Sequence, residues 1–116
     1  MGDLSKHFNR NEIECTCGCG QDTIDYKLIV ILEKVRVHFN KPVTVTSGCR
    51  CIIHNKSVGG VDTSFHTIGR AADIQVRGVA PIDVYNYISK EFPNSLGLGS
   101  YRVFTHVDTR NYKARW

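Results

Sequence analysis

The stretch from residue 23 to residue 39 limits the possible folds more than any other. Ile24, Leu28, Ile31, Leu32, Val35 and Phe39 recur at i, i+4, i+7 and i+8, the spacing that lines one face of an α-helix. The pattern predicts a helix over 23–39 with Asp22 as its N-cap, ended by Lys41-Pro42. A helix with one apolar face needs a second layer to cover it. The residues after Pro42 supply that layer. Val43-Thr-Val-Thr-Ser47 alternates like a strand, and Ala71-Ala-Asp-Ile-Gln-Val76 reads as another, closed by Gly78. Pro81 suits a first helical position, so 81–92 is expected to be a helix with Ile82, Tyr85, Ile88 and Phe92 inward. Two short strands, 96–101 and 102–109, are expected to close the chain.

Ahead of the main helix, residues 4–14 look like a short helix, with Asn9 and Glu12 spaced as a capping box. Residues 15–21 form a glycine-rich loop, and 51–58 a helical turn stopped by Gly59-Gly60. The expected class is therefore α+β: helices packed on a small, mostly antiparallel sheet. A chain of 116 residues is one domain's worth, so 1–116 is expected to be a single domain.

Composition excludes several alternatives. With 41% hydrophobic and 22% charged residues the chain is neither disordered nor collagen-like. The longest aliphatic run, Leu28 to Leu32, is far short of the roughly 20 residues that a bilayer requires. The first ten residues hold no apolar stretch, so synthesis in the cytoplasm without a signal peptide is expected. A net charge of +4 is too small to argue for nucleic acid, and neither nucleic acid nor membrane is expected as a partner. A monomer is expected.

The chemistry concentrates in two stretches, Ser64-Phe-His66-Thr-Ile-Gly69-Arg-Ala71-Ala-Asp73 and Phe104-Thr-His106-Val-Asp108. Asp73 lies within an apolar strand, where an unpartnered carboxylate is costly. A metal ion is one partner that would satisfy it; an edge position facing water is the alternative. His106 and Asp108 are two apart in a strand and so share a face. His66, Asp73 and His106 together make two imidazoles and one carboxylate, a sound catalytic zinc set that leaves a fourth position open.

Ser64-x-His66-x-x-Gly69-x-Ala71-x-Asp73 resembles the signature of the zinc D-Ala-D-Ala carboxypeptidase-like metallopeptidases, which share the hedgehog-type fold and include murein endopeptidases and phage endolysins. Phe104-Thr-His106-Val-Asp108 is similar to the H-x-D segment of the small murein-hydrolase branch, and Ser47-Gly48-Cys49-Arg50 to its S-G-x-R segment. His54-Asn55 and Val58-Gly59-Gly60 also fit the spacing of that branch. The likeness covers roughly residues 4–116.

The resemblance implies zinc bound by His66, Asp73 and His106. It implies a substrate-binding arginine at Arg50, whose planar guanidinium stays charged and can help stabilise an oxyanion. Ser64 either binds substrate or shapes its turn. The implied activity is hydrolysis of an amide bond in the murein stem or cross-bridge, with peptidoglycan peptide as the partner. A lysin that reaches the cell wall after release fits this picture. The alternative is a non-catalytic zinc-containing binding module of the same fold. In several members an acidic base stands three residues before the last histidine; here that position is Val103. The resemblance thus assigns no base. Asp108 is the local catalytic candidate, and could instead orient a ligand or hold Arg110.

Cys15, Cys17, Cys19, Cys49 and Cys51 allow three readings: reduced buried thiols, disulfides, or a second, structural zinc site. An odd count prevents complete intramolecular pairing. Tyr101, Phe104, Tyr112 and Trp116 either pack the last strands or line a groove, and Trp116 is either docked or frayed.

Overall fold

The computed structural model describes residues 5–9, 25–48 and 70–116. The long helix, α1, spans Tyr26–Phe39. Its N-cap is Asp25, whose carboxylate accepts from the Lys27 N–H at 3.1 Å. This corrects the expectation of Asp22, which lies outside the described residues. The reason is tertiary: Asp25 also accepts from the Thr109 hydroxyl at 2.7 Å, which fixes the helix start to the far end of the chain. Asn40 ends the helix in the left-handed region at φ 51°, which asparagine tolerates better than most side chains.

Strand β1 (Val43–Ser47) and strand β2 (Ala71–Val76) lie where their alternation predicts. Gly78, at φ 74°, makes the turn that leads to helix α2 (Pro81–Glu91). Strands β3 (Gly97–Ser100), β4 (Thr105–Asp108) and β5 (Ala114–Arg115) complete the described elements. The five strands form one sheet in the order β1-β2-β4-β3-β5, antiparallel except where β5 runs parallel to β3. The class is α+β, as expected.

One face of the sheet carries the core. Ala72, Ile74, Val76, Leu98 and Val107 pack against Leu28, Ile29, Ile31, Leu32 and Val35 of α1 and against Val84 and Ile88 of α2. Each of these larger aliphatics contributes about 1.5–3 kcal/mol on burial. The inward face of α2 differs from expectation. Ile82 is exposed and Val84 is buried, because the contact stripe runs through 84 and 88 and position 82 falls on the opposite side.

Two further corrections concern the ends. The helix expected over 4–14 is absent from residues 5–9, which bend instead. There Phe8 is buried in the core, and His7 is pinned to Glu33 through its backbone N–H at 3.1 Å and its ring at 2.8 Å. Those contacts hold the segment across α1 rather than along its own axis. At the other end, β5 is an unexpected strand. Arg115 anchors it by donating to the carbonyls of Phe92, Ser95 and Leu96, which follow α2. The loop at 15–21 and the turn at 51–58 lie outside the described residues. Among the described residues no helix is long and apolar enough to cross a membrane.

Candidate metal centre

Because strand residues alternate, the positions between the core residues face the other side of the sheet. On β2 and β4 these are Ala71, Asp73, His106 and Asp108. Register places Asp73 opposite His106 and Ala71 opposite Asp108. On β3 the facing positions are Gly99, opposite His106, and Gly97, opposite Asp108. The sheet therefore brings a carboxylate, an imidazole and a second carboxylate side by side, with a strip of glycine along one flank.

Both ring nitrogens of His106 are engaged. Nε2 lies 2.9 Å from Asp108 Oδ2, and Nδ1 lies 3.0 Å from Asp73 Oδ1. Asp108 is fully buried and saturated. Its oxygens accept five hydrogen bonds: from Gly97 N, Arg110 N, Arg110 Nε, Arg110 Nη2 and His106 Nε2. Burial alone would raise its pKa, but the bonds from His106 and Arg110 hold the carboxyl well below the usual carboxylate range. It is therefore ionised, and Nε2 must carry the hydrogen of the Nε2···Oδ2 bond.

That fixes the tautomer and leaves Nδ1 facing the Asp73 carboxylate. In a neutral ring, two lone pairs would oppose each other there at 3.0 Å. The arrangement is stable only with a positive particle between them, a proton or a metal ion. With the proton, His106 is an imidazolium. Burial lowers its pKa, but the hydrogen bonds to Asp108 and Asp73 outweigh burial and raise it. A metal ion would be held by the same two atoms, Nδ1 and Oδ1, which lie 3.0 Å apart. The donor set, one imidazole and one carboxylate with the ring's far nitrogen held by a second carboxylate, suits zinc.

The glycines make room for this arrangement. A Cβ at Gly97 would collide with both Asp108 oxygens and, at 2.6 Å, with Arg110 Nε. A Cβ at Gly99 would lie 2.5 Å from Trp116 Nε1 and 2.8 Å from the Tyr101 ring. Trp116 is docked, not frayed: its N–H donates to Leu98 O at 3.0 Å and its carbonyl accepts from Ser100 N at 2.9 Å. Its ring centroid lies 5.2 Å from that of His106. The alternation Gly97-Leu98-Gly99 was the signal that could have revealed this flank, since alternate glycines in a strand admit close approach on one face.

Of the residues expected at the site, Asp73, His106 and Asp108 are brought together. His66, Arg50 and Ser64 lie outside the described residues, as do His54 and all five cysteines with their proposed structural zinc. Among the described residues no group of three or more His, Cys, Asp or Glu forms a metal cage. Val103 is 60% exposed at the turn before β4, and its carbonyl accepts from Gln75 Nε2. A family model described as Peptidase M15 matches residues 6–108. No curated protein matches the chain.

Proposed function

The chain belongs to the M15 peptidases, a family of metallopeptidases, and we propose that it is a zinc enzyme hydrolysing an amide bond in the peptide part of murein. The bond involves a D-amino acid in the stem or cross-bridge. His66, Asp73 and His106 are the metal ligands. Arg50 and Ser64 contact the substrate. The enzyme works as a monomer on the cell wall, reached after release from the cytoplasm.

The observation that supports this most is the approach of Asp73 Oδ1 to His106 Nδ1 at 3.0 Å, with the opposite ring nitrogen held by Asp108. Zinc bound by His66, Asp73 and His106 would supply Lewis acidity for hydrolysis of the amide. The remaining work falls to the chain. Asp108 accepts from Nε2–H, keeps the imidazole in one tautomer and raises its basicity as a ligand. Arg110 keeps Asp108 ionised through bonds of 2.7 Å from Nε and Nη2. Arg50 holds the carbonyl oxygen as charge develops on it. Hydrolysis breaks the C–N bond, places the water's oxygen on the acyl carbon and returns a proton to the leaving amine.

Asp108 is a positioning residue in this scheme and does not act as the base. Its oxygens are all occupied, and its proton affinity is too low to take a proton from water near neutral pH.

A second reading, a non-catalytic zinc-containing binding module, draws on Val103, an exposed apolar residue at the position where the resemblance places an acid in several members. One experiment separates the two. The zinc-loaded chain is incubated with murein sacculi and the products are resolved by mass spectrometry. New amine and carboxylate ends, abolished by a chelator and restored by zinc, support hydrolysis. Intact sacculi with zinc bound to the chain favour the binding module.

A further inference from the structure

Trp116 is held by hydrogen bonds from its backbone and its indole and is still open to solvent. Its backbone closes on β3 through both of its polar groups, and its indole Nε1–H donates to the Tyr101 hydroxyl at 2.8 Å. Arg115, immediately before it, is tied to the carbonyls that follow α2. Gly99 beneath has no side chain, and the space a Cβ would occupy is taken by the indole. Even so, 47% of Trp116 is exposed, next to a Tyr101 that is 43% exposed. A ring seated only for packing would turn its apolar surface inward, since burial of an aromatic is among the largest gains a side chain offers. This one is fixed beside His106 with much of its surface outward.

We propose that Trp116, braced by Tyr101, is the wall of the site that takes the uncharged alkyl side chain of the substrate residue flanking the scissile amide; the proposal rests on the peptidase reading above. The chemistry of the wall selects the occupant. The Arg110 guanidinium lies 5.3 Å from the Trp116 ring and 5.4 Å from that of Tyr112. It is engaged in a bidentate pair with Asp108, so it is not the partner of a substrate carboxylate. The indole N–H is already donated. What the wall offers is therefore an apolar π-surface, which attracts alkyl groups by contact and desolvation. Tyr101 stacks on Phe104 at 4.5 Å, which extends the aromatic surface along the turn between β3 and β4. Trp116 acts by contact with substrate; its packing on the His106 ring is a separate, positioning contact.

Trp116 is the only tryptophan in the chain, so its fluorescence reports on this surface alone. The metal-free wild-type protein, which cannot turn its ligand over, is titrated with three probes. These are a murein disaccharide-tetrapeptide, the same tetrapeptide without sugars, and the disaccharide alone. A saturable change in emission with both peptide-containing probes and none with the disaccharide is expected. A response to the disaccharide alone, or to no probe, overturns the proposal.

Kinetics of the zinc-loaded enzyme give the second arm. Two synthetic stem peptides carry alanine or glycine beside the scissile bond. The wild type should prefer alanine about tenfold in kcat/KM, the value of roughly one buried methyl group. Trp116→Ala should erase that preference mainly through KM, and Trp116→Phe should restore most of it. Equal losses on both peptides, or a loss confined to kcat, would overturn the wall and leave a structural role. Turnover by the wild type with no fluorescence response removes the wall while leaving the peptidase reading intact. Absence of both removes the two together.

Discussion

The two faces of one sheet are built on different terms. On the helix side, Ala72, Ile74, Val76, Leu98 and Val107 meet α1 and α2 through apolar contact. Any well-packed aliphatic of similar volume would serve there, because dispersion and burial are not directional. On the other side, the neighbours of those same residues depend on specific partners. Asp73 Oδ1 is paired with His106 Nδ1, His106 needs Asp108, and Asp108 needs Arg110 and the empty space above Gly97. The strands are shared, so the core face sets the register and the register aligns the donors of the other face. A single alternation thus supplies stability on one side and chemistry on the other.

Asp108→Asn should do the greatest damage to the polar face. The substitution keeps the shape but removes the charge that Arg110 and His106 share, and breaking a buried pair costs about 3–5 kcal/mol. It should also weaken zinc binding by about 10–100-fold, as the loss of a ligand's hydrogen-bond partner does. Chemical denaturation and zinc titration with a competing chelator measure the two losses. A variant with unchanged zinc affinity would detach Asp108 from the metal centre.

Ile74→Ala is the counterpart on the core face. It should cost about 2–5 kcal/mol of stability. Zinc affinity, measured below the unfolding transition, should change little. Equal damage to zinc affinity would mean that the faces are not separable.

Gly97→Ala tests the boundary between the faces. The added methyl meets a carboxylate locked by five hydrogen bonds, which cannot swing away as a free side chain would. Zinc affinity should fall by about tenfold or more. Retention of wild-type affinity would show that Asp108 can shift without releasing His106.

The pH dependence of the metal-free protein gives a milder signal with a definite sign. The folded pKa of Asp108 is depressed, so its contribution is present above the unfolded value of about 3.9 and is lost as pH falls toward the folded value. The folded pKa of His106 is raised. Its contribution is present below the unfolded value of about 6.5 and is lost as pH rises through the folded value. The stabilisation from this pair, read by thermal unfolding without metal, should therefore be greatest between about pH 4 and 6.5. Asp108→Asn should flatten the acid side. Smallest of all, Asp25→Ala should cost about 1 kcal/mol through the lost cap, read from denaturant midpoints.

The parts legible in the sequence are those governed by short-range periodicity. Leu28, Ile31, Leu32 and Val35 marked α1, and the alternation of Val43–Ser47 and Ala71–Val76 marked two strands at their observed limits. The pairing of Asp73 with His106 followed from signature spacing and needed the register to become geometry. What escaped depends on contacts between distant residues. β5 has two residues, too few to alternate, and is held by the side chain of Arg115. Asp25 displaced Asp22 as the cap because Thr109, 84 residues away, binds it. The role of Gly97 and Gly99 becomes apparent only when β3 lies beside β4.

The central question is which atom of His106 meets the metal. Diffraction from zinc-soaked crystals at the zinc absorption edge measures this directly. The predicted result is an anomalous peak between Asp73 Oδ1 and His106 Nδ1, with His66 as a further ligand and Nε2 still bonded to Asp108. A peak on Nε2, or one confined to the cysteines with nothing beside Asp73, would contradict it.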